Sequence, residues 1–197
     1  MKHGNNKPML AVDCSTTTAS IALAASGGIH TREIDHGRQA AELVPAIDAL
    51  LKEHGVKYSE LACLLTTLGP GSFTGLRVAL ATVHALSLAH AIPTRAVTSL
   101  QSVAYEVKEK HFRVALNAGK GEVFVQEFNG TEPYGAIELM KPDQLPAGTI
   151  TDYTPHAATL CRVAEQLPLV PLAELLPLYI RPPDAKPATL PPWLQTT

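Results

Sequence analysis

Three segments carry residues whose types and spacing can do chemistry. The first is Asp13-Cys14-Ser15-Thr16-Thr17, an acid at the end of an apolar run followed by hydroxyls. A turn of this kind presents backbone N–H groups and hydroxyls to a phosphate, and its acid can hold a magnesium ion through water. It also suits a plain turn whose Ser and Thr satisfy their own backbone, and taken alone that plainer reading weighs more. The second is Gly69-Pro70-Gly71-Ser72-Phe73-Thr74-Gly75-Leu76-Arg77, with three glycines in seven residues. Glycines permit positive φ and close backbone approach, and the N–H groups of a following helix would attract an anion. The loop lacks the Gly-Lys-Ser/Thr of a Walker A motif and the pattern of a Gly-x-Ser-x-Gly elbow. A tight connection whose glycines pack on another backbone is again the plainer reading. Phe73 needs cover in either case, from the core or from a partner. The third is Leu116-Asn117-Ala118-Gly119-Lys120-Gly121-Glu122-Val123-Phe124, shaped like a second phosphate hairpin or simply a hairpin. It holds no paired carboxylates for acid–base work.

Other chemistries find little support. Cys14, Cys63 and Cys161 are too scattered for a disulfide framework or a zinc site, and the eight histidines form no HExxH and no i, i+4 pair. The expected compartment is the reducing cytoplasm, with no resident metal. Lys and Arg total 16 against 18 acids, a formal net charge of −2, so this chain is not expected to be the main grip on a nucleic acid. No apolar run reaches the roughly 20 residues that span a bilayer, and the polar opening MKHGNNKPM does not read as a signal peptide. Charged residues are only 17% and hydrophobic residues 46%, which points to more buried surface than a monomer needs.

The elements that must position these segments follow from periodicity. Leu10–Cys14, Ala19–Ala25 and Ile29–Ile34 read as three strands of an antiparallel meander. Leu43, Ile47, Leu50 and Leu51 mark one face of a helix from Gln39 to Glu53, with Pro45 near its start and a stop at Gly55. Leu61–Leu68 suits a strand buried on both faces. A long helix is predicted over Ser72–Ala91, ended by Ile92-Pro93. On it Leu76, Leu80, Val83 and Ser87 form one stripe, and Val78, Thr82, Ala85 and Ala89 a second of mostly small side chains that allows close helix packing. His84 and His90 read as edge or surface histidines. Arg95–Thr98 follows as a strand, then a helix capped by Ser99 and reaching about Lys110. Phe112–Leu116 and Glu122–Phe128 are strands, residues 131–155 read as loop with short extended pieces, and His156–Gln166 is the last helix. The proline-rich tail is expected to be extended. The domains expected are 1–98, a smaller 99–180, and the tail 181–197.

With these segments placed, a resemblance is specific. LAVDCSTTTASIALA resembles the ILAIDTSTxxxSVAL opening of the bacterial TsaB (YeaZ) family, and the GPGSFTGLR run with the helix after it resembles that family's GPGSFTGLRIGxAxAKGLALxxxIPxxGVSSL. LNAGKGEVFVQEF is similar to its IDARxGEVYxxxY, and LPLYIRPPDAKP to its PxYLR terminal segment. The similarity runs from residue 9 to about 130 and resumes in the tail. It implies an α/β, actin-like and Hsp70-like (ASKHA, ribonuclease H-like) fold with two related domains, the second truncated. It implies a non-catalytic scaffold or activator subunit in the addition of threonylcarbamoyl to N6 of adenosine 37 in tRNAs reading ANN codons. The implied partners are the catalytic TsaD subunit, the TsaE ATPase, a second copy when the chain is alone, and tRNA only indirectly, with ATP and metal used by the partner subunits.

The implied partner or dimer surface is Gly69, Pro70, Gly71, Ser72, Phe73, Thr74, Gly75, Leu76, Arg77, Leu80, Ala81, His84 and Ala85. The implied vestigial phosphate turn is Asp13, Ser15 and Thr16. The chain departs from the family pattern at several positions. Gln39 replaces a histidine, Cys14 a threonine, Asn117 an aspartate and Gly119 an arginine, and no glycine lies near Ser15. These changes weaken an independent ATP site. The competing reading is an ASKHA-fold ATPase or kinase with its own nucleotide site at Asp13.

Overall fold

The computed structural model describes residues 7–35 and 37–180, so the leading polar residues before Lys7 and the tail from 181 lie outside the described residues. Five strands form the main sheet: β1 (Met9–Asp13), β2 (Ala19–Ala25), β3 (Gly28–Ile34), β4 (Cys63–Thr67) and β5 (Thr94–Val97). Their order is β3-β2-β1-β4-β5, with the β1–β2–β3 meander antiparallel and β1, β4 and β5 parallel. The meander is the one expected from the short turns. β4 is buried along its whole length, as an apolar run without alternation requires.

Alternation along β1 sorts the core into two layers. Leu10 and Val12 face the layer covered by α1 (Gln39–Glu53) and α2 (Phe73–His90), where Leu43, Ile47, Leu50, Leu64, Leu80 and Val83 are buried. Each such side chain contributes about 1.5–3 kcal/mol of burial. α1 has the predicted bounds, and Pro45 sits on its exposed side, where the lost N–H bond leaves no buried carbonyl behind. Ala11 and Ala22 face the other layer, covered by α4 (Ala157–Arg162) through Ala157, Leu160 and Cys161. Small side chains on both sides bring α4 close enough for the Cys161 thiol to donate to the Ala22 carbonyl at 3.6 Å. Burial pushes that thiol up to about 12, so it stays neutral.

The second sheet is antiparallel, β6 (His111–Gly119), β7 (Glu122–Asn129) and β8 (Glu132–Met140) in that order. Its inner face packs Val114, Leu116, Phe124 and Phe128 on Leu100 and Val103 of α3 (Ser99–Ala104).

Several expectations change. α3 is capped by Thr98, whose hydroxyl accepts from the Gln101 N–H, and stops at Ala104 rather than near Lys110. Residues 132–140 are a nine-residue strand, not loop. Pro133 and Gly135 hid it, but an edge strand tolerates both, and the register shifts between Val125 and Glu127 opposite them. The last helix is shorter, Ala157–Arg162 with a 3₁₀ turn at Ala164–Gln166, and its cap is His156. Chain order and packing also part company after residue 155. α4 lies on the first sheet, Leu175 joins the α1–α2 core, and the Val170 N–H donates to the Thr94 carbonyl at 2.9 Å along the β5 edge. Covering that edge removes a row of open backbone groups.

Candidate functional site

The β1–β2 turn, the glycine-rich loop and the β6–β7 turn meet at one end of the main sheet. Asp13 ends β1 and is buried. Its Oδ1 accepts from the Ser15 N–H at 2.9 Å and the Ser15 hydroxyl at 2.8 Å, and its Oδ2 accepts from the Thr67 hydroxyl at 2.8 Å. The carboxylate thus locks the turn to β4. Burial, aided by the Asp13 charge, pushes the Cys14 thiol well above the usual thiol range.

The glycine-rich loop closes on this turn. The Ser72 N–H donates to the Ser15 carbonyl at 2.7 Å. A Cβ on Gly71 would stand 2.1 Å from the Ser15 carbonyl oxygen, and one on Gly75 would stand 2.1 Å from that of Cys14. These two glycines are there for backbone-on-backbone contact, the plainer of the two sequence readings. Ser72 caps α2 by accepting from the Gly75 N–H at 3.2 Å. The part of the α2 N-terminus that an anion would approach therefore meets the chain's own Cys14 and Ser15 carbonyls. Gln39 fastens α1 to the same turn, donating to the Thr17 carbonyl at 2.9 Å.

The thirteen residues expected on a partner surface separate by burial. Gly69, Pro70, Gly75, Leu76 and Leu80 are buried within the chain, and Leu80 in particular faces α1 and the sheet. Gly71, Ser72 and His84 are half-buried, while Phe73, Thr74, Arg77, Ala81 and Ala85 are exposed. The expectation for Leu80 is therefore corrected: it directly precedes Ala81 in sequence but lies on the core side of the helix. Of the second small-residue stripe, Thr82 is buried and Val78 half-buried, so only Ala85 and Ala89 reach the surface. The outer face is completed by Leu88, which is 73% exposed and went unremarked in the sequence. Its signal was present, since Ala81, Ala85 and Leu88 are spaced by four and three. α1, packed beside α2, exposes Val44.

Phe73 finds its cover in neighbours at the surface. The Arg77 guanidinium lies 3.8 Å above its ring centroid, and Arg77 Nε donates to the Tyr179 hydroxyl at 2.8 Å. His84 is not a free edge histidine. Its ring nitrogens lie 2.9 Å from the Leu80 and Leu172 carbonyls, tying α2 to the C-terminal segment. His90 stacks on Tyr58. Among the described residues no group of three or more His, Cys, Asp or Glu is placed to hold a metal.

Between the two sheets the three turns leave a cleft of about 580 Å³. Ser15, Thr16, Thr17, Gly71, Ser72, Asn117 and Gly119 line it, with Phe73, Tyr153 and Tyr179 among its aromatic residues. The structure thus brings the first, second and third sequence motifs to one place.

The family model described as "TsaD: tRNA N6-adenosine threonylcarbamoyltransferase" matches residues 14–138, more than half of the chain. The chain belongs to this family, in its TsaB (YeaZ) branch. The tRNA threonylcarbamoyladenosine biosynthesis protein TsaB of Haemophilus influenzae is 29% identical over 127 residues, covering 62% of this chain and 54% of the relative. The TsaB of Bacillus subtilis is 28% identical over 142 residues, covering 69% and 60%. The chain thus spans little more than half the length of these curated relatives. YeaZ from Pseudomonas aeruginosa superposes with a TM-score of 0.75 at 24% identity, over 89% of this chain and 100% of that one. The α/β, actin-like and Hsp70-like (ASKHA) class implied by the sequence resemblance holds for this TsaB-family chain.

Proposed function

We propose that this TsaB-family chain is a non-catalytic scaffold or activator subunit in threonylcarbamoyl transfer to N6 of adenosine 37 in tRNAs reading ANN codons. It pairs with a catalytic TsaD subunit, works alongside the TsaE ATPase, meets tRNA only indirectly, and self-associates when alone. ATP and metal belong to the partners. The observation that carries this reading is the outer face of α2, where Ala81, Ala85 and Leu88 offer solvent a strip of small and apolar side chains. Small residues let another helix approach closely, and an exposed apolar strip of this kind marks an interaction surface. The engaged Asp13 carboxylate and the Ser15 carbonyl against α2 support a subunit without phosphate chemistry of its own. The names of the TsaB relatives supply the pathway.

The test is co-expression with the cognate TsaD, pull-down, and an assay of threonylcarbamoyl-modified tRNA with and without this chain. Stable co-purification and modification that depends on the chain are expected. Full modification in its absence would defeat the proposal.

A further inference from the structure

His84 makes two contacts that a neutral imidazole cannot satisfy together. Its Nδ1 lies 2.9 Å from the Leu80 carbonyl oxygen, and its Nε2 lies 2.9 Å from that of Leu172. A carbonyl oxygen only accepts, and a neutral imidazole has one N–H to give. In either tautomer the other nitrogen would turn its lone pair on a carbonyl at hydrogen-bond distance. The imidazolium donates at both ends, and a charged donor makes the stronger bond. The two carbonyls belong to distant parts of the chain. Leu80 lies one turn back on α2, whereas Leu172 opens the 3₁₀ turn Leu172–Glu174 of the C-terminal segment. The Leu172 carbonyl also accepts from the Leu175 N–H at 3.2 Å, and Leu175 is buried. The segment is held at its two ends by the Val170 N–H on the Thr94 carbonyl at 2.9 Å and the Leu178 N–H on the Leu68 carbonyl at 2.7 Å. His84 fastens the stretch between them.

The charged groups on the surrounding elements are engaged elsewhere or exposed. On α1, Glu42 pairs with Arg38, Glu53 pairs with Arg32, and Asp48 accepts from Tyr58, while Lys52 is exposed. Glu60, in the turn beside α2, accepts from the Lys57 N–H, and Asp13 of β1 accepts from Ser15 and Thr67. On α2 itself Arg77 is taken up by Phe73 and Tyr179, and His90 stacks on Tyr58. Glu174, in the same turn as Leu172, is exposed. Among the described residues no carboxylate is ion-paired with His84, so the two carbonyls are what its ring protons meet.

We infer that His84 is a proton-operated clasp: as an imidazolium it fastens the C-terminal segment around Leu172 to α2, and on losing one proton it loosens that segment. The clasp is complete below about pH 6.5, where an exposed imidazole is itself protonated, and is lost as the pH rises beyond the range in which the closed strap keeps the second proton. The inference does not rest on the partner-docking reading, which concerns the outer face of α2. Two measurements on the purified chain test it. Nitrogen NMR of the His84 ring at pH 7 is expected to show both ring nitrogens carrying hydrogen. Amide hydrogen exchange, expressed as protection relative to an unfolded amide at the same pH, is then compared at pH 6 and pH 8.5. Protection of Leu175 and Leu178 is expected to fall tenfold or more at the higher pH. That of Leu64, whose N–H donates to the Pro93 carbonyl beside the main sheet, is expected to stay constant, which separates local opening from unfolding. In His84→Gln, which cannot titrate, the strap amides are expected to have the same protection at both pH values. A single protonated ring nitrogen at pH 7, strap protection in the natural chain that does not change with pH, a parallel fall at Leu64, or the same pH dependence in His84→Gln would each overturn the inference.

Discussion

At the residue scale the deciding atoms are two missing side chains. Gly71 and Gly75 let the α2 N-terminus rest on the carbonyls of Ser15 and Cys14, and neither position has a positive φ that would demand glycine on its own. Space alone explains them. Gly75→Ala is therefore expected to cost about 3 kcal/mol or more, because its methyl would have to displace backbone rather than a flexible side chain. Gly121→Ala makes a contrast, since nothing lies within 4 Å of a Cβ there and only its φ of +73° is strained. Urea denaturation of the two variants would show it, and an unperturbed Gly75→Ala midpoint would contradict this account. The sequence showed that the glycines mattered. It left open whether they faced a ligand or a backbone, because both uses require the same absent Cβ.

At the scale of elements, α4 is the informative case. It follows the second sheet in the chain yet lies on the first. Its docking is reinforced where Glu106, just beyond α3, accepts from Thr159 and from Arg162 of α4. Partial burial pushes the Glu106 carboxyl up, but those hydrogen bonds and the Arg162 charge outweigh it and hold the carboxyl below its ordinary range. A depressed folded value means that the stabilisation is fully present above the unfolded carboxyl's ordinary value. It is lost as the pH falls from about 4.5 through the folded one. Glu106→Gln is expected to flatten this acid-side loss of stability, followed as urea midpoints from neutral to acidic pH. An unchanged acid slope would remove Glu106 from the account. Helix existence here was legible from periodicity. The partner of α4 was not, because an apolar stripe says that a helix is buried without saying against which sheet. β8 was missed for a related reason, since an edge strand has only one neighbour to satisfy and tolerates Pro133 and Gly135.

At the scale of the whole molecule, α2 has two sides with different consequences. Ala85→Glu places a charge on the outer face and is expected to weaken the proposed pairing with a TsaD subunit by about 2–4 kcal/mol while leaving the fold intact. Leu80→Asp places a charge in a core position that is 3% exposed and is expected to unfold the chain. Pull-down and thermal melting separate the two, and a folded, fully binding Ala85→Glu would remove the outer face from the interface. Burial makes this distinction, and a helix with small or apolar residues nearly all round does not reveal it. The sequence by itself determined the strand meander, the bounds of α1, the glycine-rich entry to α2 and the family to which they belong. Those features depend on local turn chemistry, short-range periodicity and a distinctive run of residues. Only the tertiary structure decided that the loop's glycines face the chain's own carbonyls. It alone showed that Leu80 belongs inside and Leu88 outside, that α4 returns to the first sheet, and that the three turns meet around one cleft. Each of those outcomes depends on which distant backbone arrives at a given face, and local pattern does not encode that.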